Sequence, residues 1–236
     1  MRSLKLTSVC LVLQLWLPGS AFALALKLDG SCSYFGERLP ASAEVTPATN
    51  NAITLIQRIV DVSGLARNFE VRAAFVPNAA AVTLGTTRYI LYNPRFIDDI
   101  TAKARNRWAA TGIMAHEVGH HLNGHTLQTG GSRPDLEREA DYFSGFVLQR
   151  LGARLSDATA VIEILAPETG NSTHPGKKDR VASITAGWSK ACEKDADCPL
   201  HSIPDSEPDL DAGEIGSTPN SVRRPPSPGR TLQHAQ

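Results

Sequence analysis

The hydrophobic positions of this chain change period along its length. Between Thr49 and Ser63, Ile53, Ile56, Ile59 and Val60 fall on one helical face and Gly64 follows, so the spacing predicts an amphipathic helix closed by a glycine. Phe69 to Val76 and Thr87 to Tyr92 are instead β-branched and aromatic runs, bounded by Pro77-Asn78 and Asn93-Pro94, with Ala80 to Leu84 as a third strand between them. After Phe96 the pattern reads as helix and loop. One helix is expected from about Trp108 to His125, with Met114, Ala115, Val118 and Leu122 on its core-facing arc. Another covers DLEREADYFSGFVLQRL, where Leu136, Ala140, Phe143 and Val147 form the apolar stripe. A few strands followed by helices imply an α+β domain, a small β-sheet packed on helices.

The two ends depart from this pattern. Met1 to Ser8 carries Arg2 and Lys5, Val9 to Leu17 is apolar, and Pro18 to Ala23 ends in a small-x-small pattern. That order reads as a secretory signal peptide, residues 1–23, cleaved after Ala23. The apolar run is less than half of the ~20 residues a bilayer-spanning helix needs, and no later segment is longer. The mature chain is therefore expected to be exported, periplasmic or secreted, with no integral membrane span. From Glu193 onward aromatics vanish and seven of the fifteen prolines appear. Residues 193–236 read as a Pro-rich flexible tail that cannot bury enough apolar surface to order itself, and residues 24–192 remain as the domain. DLDAGE in the tail lacks the glutamate spacing of an EF-hand loop.

Charge and cysteines narrow the classes further. Lysine and arginine number 24 against 24 aspartates and glutamates, which gives no electrostatic reason to expect nucleic acid as a partner. Cys32, Cys192 and Cys198 survive cleavage. Export permits a disulfide: Cys192 with Cys198 closes a small loop, and Cys32 with either is equally compatible with the sequence. Asn171-Ser172-Thr173 is a glycosylation sequon, relevant only in a eukaryotic host.

Residues 116 to 125 read HEVGHHLNGH. With His116 at zero on a helical wheel, His120 falls at about 40° and Glu117 at about 100°. Two imidazoles one turn apart can converge on one metal ion, while Glu117 is turned away from ligation toward the attacking water, as the general base of an HExxH site. His125 lies near 180°, in the apolar arc, where a buried hydrogen-bonded histidine is expected; His121 receives no role. A metzincin pattern needs a glycine at 123 and a histidine at 126, where the chain has Asn123 and Thr126. A catalytic metal needs a third protein ligand. Glu137 supplies it from the following helix, on a face that excludes Glu139, and Asp141, one turn on, is placed to hold the outer nitrogen of His116. Ala140, Ser144 and Gly145 are small enough to admit a neighbouring helix.

HEVGHHLNGH, then EREAD, then THPGKKDR, resemble in this order the metallopeptidase family, family forty-eight, that includes the CAAX prenyl protease, the heat-shock protease HtpX and soluble quality-control proteases. The likeness runs from about Phe69 to Trp188. It implies a zincin-like fold, zinc held by His116, His120 and Glu137, Glu117 as catalytic base and Asp141 as the acid behind a ligand. It also implies a histidine near the active site at His174 and an accompanying Arg180, and it often has a histidine where this chain has His125. The chain lacks the membrane helices of the integral members and the helical-repeat domain of some periplasmic ones, so targeting and substrate do not carry over.

Residues and resemblance converge on a zinc metalloendopeptidase acting on peptide bonds of exported or envelope proteins, in quality control or in specific processing. His174 is then the candidate donor to the oxyanion, or else a further zinc ligand that closes the site. An extended substrate is expected to pair with an exposed sheet edge at NAAAVTL. The rival is a zinc-stabilised module that binds proteins without cutting them, which would have no use for Glu117.

Overall fold

Thr49 starts the first helix of the domain, its Oγ accepting the Ala52 N–H at 3.2 Å, and Gly64 ends it. The computed structural model describes residues 24–28, 33–128, 132–193 and 198. The expected signal peptide, Cys32 and all of the expected tail except Glu193 and Cys198 lie outside the described residues. Helix α1 (Asn50–Ser63) buries Ala52, Ile56, Ile59 and Val60, whereas Ile53, expected on that face, is 39% exposed. Ala52 and Ile53 stand four and three residues before Ile56; the smaller residue takes the inner position and turns Ile53 to the rim.

The sheet has five strands in the order β1-β2-β3-β5-β4. They are β1 (Leu24–Lys27), β2 (Ser42–Pro47), β3 (Glu70–Ala74), β4 (Ala79–Leu84) and β5 (Thr87–Tyr92). Every pairing is antiparallel except β3 with β5. The sequence pattern indicated β3, β4 and β5 and not β1, which has only four residues, or β2, which carries mostly small or polar residues. Ile90 and Tyr92 of β5 enter the main core while Leu91 enters a second cluster with Leu28, Val45, Val76 and Val82, so the sheet is covered on both faces. Among the described residues strand β4 pairs only with β5 and so ends the sheet, but Ala79, Ala80, Ala81 and Val82 are buried, not exposed as the expected edge would be.

The remaining elements are helical: α2 (Pro94–Ala104), α3 (Trp108–Leu122), a 3₁₀ turn (His125–Leu127), α4 (Pro134–Arg150), α5 (Leu155–Leu165) and α6 (Lys177–Cys192). Helix α3 was expected to present one apolar arc, yet every residue from Trp108 to Gly119 is buried. Ala109, Ala110, Gly112, Ala115 and Gly119 let neighbours approach from all sides, so α1, α2, α4, α5 and β4 surround it. The helix stops at Leu122 rather than His125 because Gly124 turns left-handed, at φ 74°. Helices α4 and α6 cross very closely: a Cβ on Gly145 would come within 2.0 Å of the Ile184 carbonyl oxygen, and one on Gly187 within 1.8 Å of that of Tyr142. The expected stripe of α4 is buried at Leu136, Ala140 and Val147, with Phe143 partly covered. Cys192 and Cys198 form a disulfide, Cα atoms 5.4 Å apart. The molecule is thus α+β, a small mixed sheet on a helical layer. Among the described residues no helix is long and apolar enough to cross a membrane.

Candidate metal centre

The one-turn spacing of His116 and His120 on α3 brings their Nε2 atoms to 3.1 Å from each other. Glu137, in the first turn of α4, completes a triangle: its Oε2 lies 3.2 Å from His116 Nε2 and its Oε1 3.5 Å from His120 Nε2. Ligands bound tetrahedrally at about 2.0–2.1 Å are separated by roughly 3.3 Å, so these three fit around a single ion. His116, His120 and Glu137 together can hold a metal ion.

The electrostatics favour a cation there. Burial would raise the Glu137 carboxyl, but its contacts to His116, His120 and His174 outweigh this and hold it well below the usual range. Burial likewise opposes charge on His116, yet the Asp141 and Glu137 carboxylates lift its pKa to about 9. His120 moves the other way, lowered first by burial. Ser132 Oγ also donates to Glu137 Oε1.

Behind His116, its Nδ1–H donates to Asp141 Oδ1 at 2.9 Å, so Nε2 is the nitrogen that faces the cluster and would ligate once a metal displaces its proton, the arrangement expected of Asp141. Arg180 anchors that carboxylate with two hydrogen bonds of 2.8 Å and donates a third, at 2.9 Å, to the Tyr34 carbonyl. All of this is buried. Although burial disfavours both charges, the Arg180 guanidinium holds the Asp141 carboxyl below its ordinary value, and Asp141 raises Arg180 in turn.

Glu117 sits beside the ligands. Its Oε2 accepts the Ala81 N–H of strand β4 at 2.7 Å, while its Oε1, though buried, has no hydrogen-bond partner among the described residues. Burial is the main cause that lifts this carboxyl to about 7, with the His116 charge opposing and that of Glu137 assisting.

His174 reaches the site from the loop before α6. Asn171 Oδ1 accepts its backbone N–H at 2.8 Å, and its Nε2 lies 3.1 Å from the Ser33 carbonyl oxygen and 3.2 Å from Glu137 Oε2. It stands next to a ligand rather than in the three-residue cluster. Gly36, with φ 84°, makes this approach feasible, since a Cβ there would lie 2.7 Å from His174 Nδ1.

His121 and His125 are buried and bonded as well. His121 lies between the Tyr89 carbonyl and Thr126 Oγ1 and stacks on Phe69; burial lowers its pKa to about 4. His125 Nδ1 meets His120 Nδ1 at 3.0 Å, a contact with a ligand beyond the buried role expected of it. Sequence reasoning missed Tyr34, whose ring stands edge-on to His116 at 4.8 Å, as well as Ser33 and the Ala81 N–H. None carries a local signal: Tyr34 is 146 residues from Arg180, and a backbone N–H has no side-chain signature.

No family profile, curated protein or solved structure matches the chain. The functional reading therefore rests on residues and geometry.

Proposed function

We propose that this chain is a zinc-dependent endopeptidase of zincin-like fold that is exported and cleaves exported or envelope proteins. The observation that carries the reading is Glu117. A carboxylate buried against the metal cluster, fixed through one oxygen by β4 and with no hydrogen-bond partner for the other among the described residues, is costly to keep in a purely structural site. In a hydrolase it is the base. Zinc would supply Lewis acidity, polarising the scissile carbonyl and acidifying water. Glu117 Oε1 takes the proton of the attacking water and returns it to the leaving amine. A pKa near 7 suits both transfers.

The Ala81 N–H fixes the Glu117 carboxylate relative to the edge strand. Strand alternation puts Ala79, Ala81 and Thr83 backbone groups on that edge. Tyr34 N–H donates to the Ala79 carbonyl at 3.0 Å and covers one end of it, so an extended substrate would pair further along, at Ala81 and the half-buried Thr83. His174 remains the candidate donor to the oxyanion, and its Nε2–H must leave the Ser33 carbonyl to serve there.

Glu117→Gln tests the reading. It preserves size while removing the base, so zinc content should stay and cleavage of unfolded casein should fall by about 10²–10⁴-fold. A His174→Ala form, run alongside, rises in activity if His174 occludes the metal and falls if it steadies the oxyanion. If neither wild type nor His174→Ala cuts any unfolded protein that Glu117→Gln spares, the non-cleaving binding module replaces the peptidase.

A further inference from the structure

The two imidazoles facing the metal position are backed in different ways. Behind His116 is a closed, buried ion pair, Asp141 with Arg180. Behind His120 is a second imidazole and then a surface carboxylate: His120 Nδ1 lies 3.0 Å from His125 Nδ1, and His125 Nε2 lies 2.9 Å from Glu139 Oε2. We propose that His125 and Glu139 are positioning residues that hold His120 in its metal-ligating tautomer, with the direction of the hydrogen-bond chain set by Glu139. The proposal rests on the reading of His116, His120 and Glu137 as metal ligands.

Counting protons gives the direction. An ionised carboxylate only accepts, so the proton between Glu139 and His125 belongs to His125 Nε2. Neutral imidazole protonated at Nε2 offers a lone pair at Nδ1, and the proton between the two Nδ1 atoms therefore sits on His120. The lone pair of His120 is then at Nε2, the atom 3.1 Å from His116 Nε2. With the chain reversed, His120 would carry its proton on Nε2 and that nitrogen could not ligate.

The fold builds the chain from elements that sequence order separates. Gly124 ends α3 in a left-handed turn and folds His125 back on the last helical turn, its ring 5.1 Å from that of His120. Glu139 projects from the side of α4 opposite the ligand Glu137, where it lines an open groove with Asn123, Arg138 and Tyr142. His125 is almost fully buried, whereas the Glu139 side chain is 61% exposed. The relay thus runs from solvent to the metal position in two hydrogen bonds.

Partners behind a ligating histidine typically change metal affinity by about 10–100-fold, and His125→Ala should weaken zinc binding by that order. The measurement is the zinc dissociation constant of the full-length chain, by competition with a chromophoric chelator. Because His125 is buried, the deciding variants are at the exposed Glu139. Glu139→Gln keeps an acceptor oxygen and should bind zinc like wild type. Glu139→Lys presents only donors, which forces His125 to protonate Nδ1 and His120 to reverse. It should lose about tenfold or more in affinity, with an unchanged melting temperature for the zinc-free protein and no additional loss in a His125→Ala background. Wild-type affinity in Glu139→Lys, or equal losses in the Gln and Lys forms, would overturn the proposal. Zinc binding without proteolysis in wild type would sink the peptidase and leave the relay standing, and failure of wild type to bind zinc would sink both.

Discussion

At the scale of single residues, the costliest group to disturb is the Arg180 guanidinium. It is 1% exposed, and Asp141 is the only carboxylate in direct contact with it among the described residues. Asp141→Asn would leave a buried cation without its counter-charge, and breaking such a pair costs about 3–5 kcal/mol. Thermal unfolding of the zinc-free protein should register a loss of this size, separating the structural effect from any on the metal. Gly36 makes a different kind of test. Its positive φ and the 2.7 Å approach of His174 leave no room for a methyl group. Gly36→Ala should destabilise by about 1 kcal/mol or more and move the ring resonances of His174. Unshifted resonances would mean that the loop accommodates the methyl elsewhere.

At the scale of elements, the site depends on how α4 is held between α3 and α6. Small residues on two sides of α4 permit it: Ser144 Oγ donates to the Gly112 carbonyl of α3 at 2.9 Å, while Gly145 abuts Ile184 of α6. A side chain at Gly145 must push backbone against backbone. Gly145→Ala should therefore lower stability by about 1–3 kcal/mol or more and weaken zinc binding, since Glu137 and Asp141 ride on the same helix. Gly112→Ala is the control. Its Cβ would meet Leu148 Cδ1 at 3.5 Å, an ordinary contact, and the gain in helix propensity of up to ~1 kcal/mol should make it neutral or stabilising. The denaturant midpoint should fall for Gly145→Ala and hold or rise for Gly112→Ala; similar shifts would show that the α4–α6 crossing has slack.

At the scale of the whole molecule, a bound metal ties α3 to α4 and should appear as stability. Ligand at about a thousand times its dissociation constant adds roughly 4 kcal/mol. Chelation should then lower the melting temperature by on the order of 10 °C for a domain of this size, equally in wild type and in Glu117→Gln. If chelator leaves the melting temperature unchanged in protein that metal analysis finds loaded, the ion does not join the helices as drawn. Removing residues 199–236 should alter neither melting temperature nor zinc content, because that stretch has no apolar period with which to pack.

The sequence alone determined the parts of this protein that depend on helical periodicity. Two histidines four residues apart must share a face, Glu137 and Asp141 must do the same, and the pairing of Asp141 with His116 follows once the two helices meet. Strands β3, β4 and β5 were legible for a similar reason, as runs of β-branched and aromatic residues between turn signals. Tertiary structure decided the rest. It buried α3 on all sides, a matter of small residues admitting neighbours, where a wheel shows only one apolar arc. It placed β4 at the sheet edge with the Ala81 N–H on Glu117, and it brought Tyr34 to Arg180 and Ser33 to His174 across 146 and 141 residues. It also turned His125 from a buried neighbour into a contact of His120, because Gly124 ended the helix three residues before the wheel would have it. Such contacts join groups with no common local period, so only the packing of distant elements can create them.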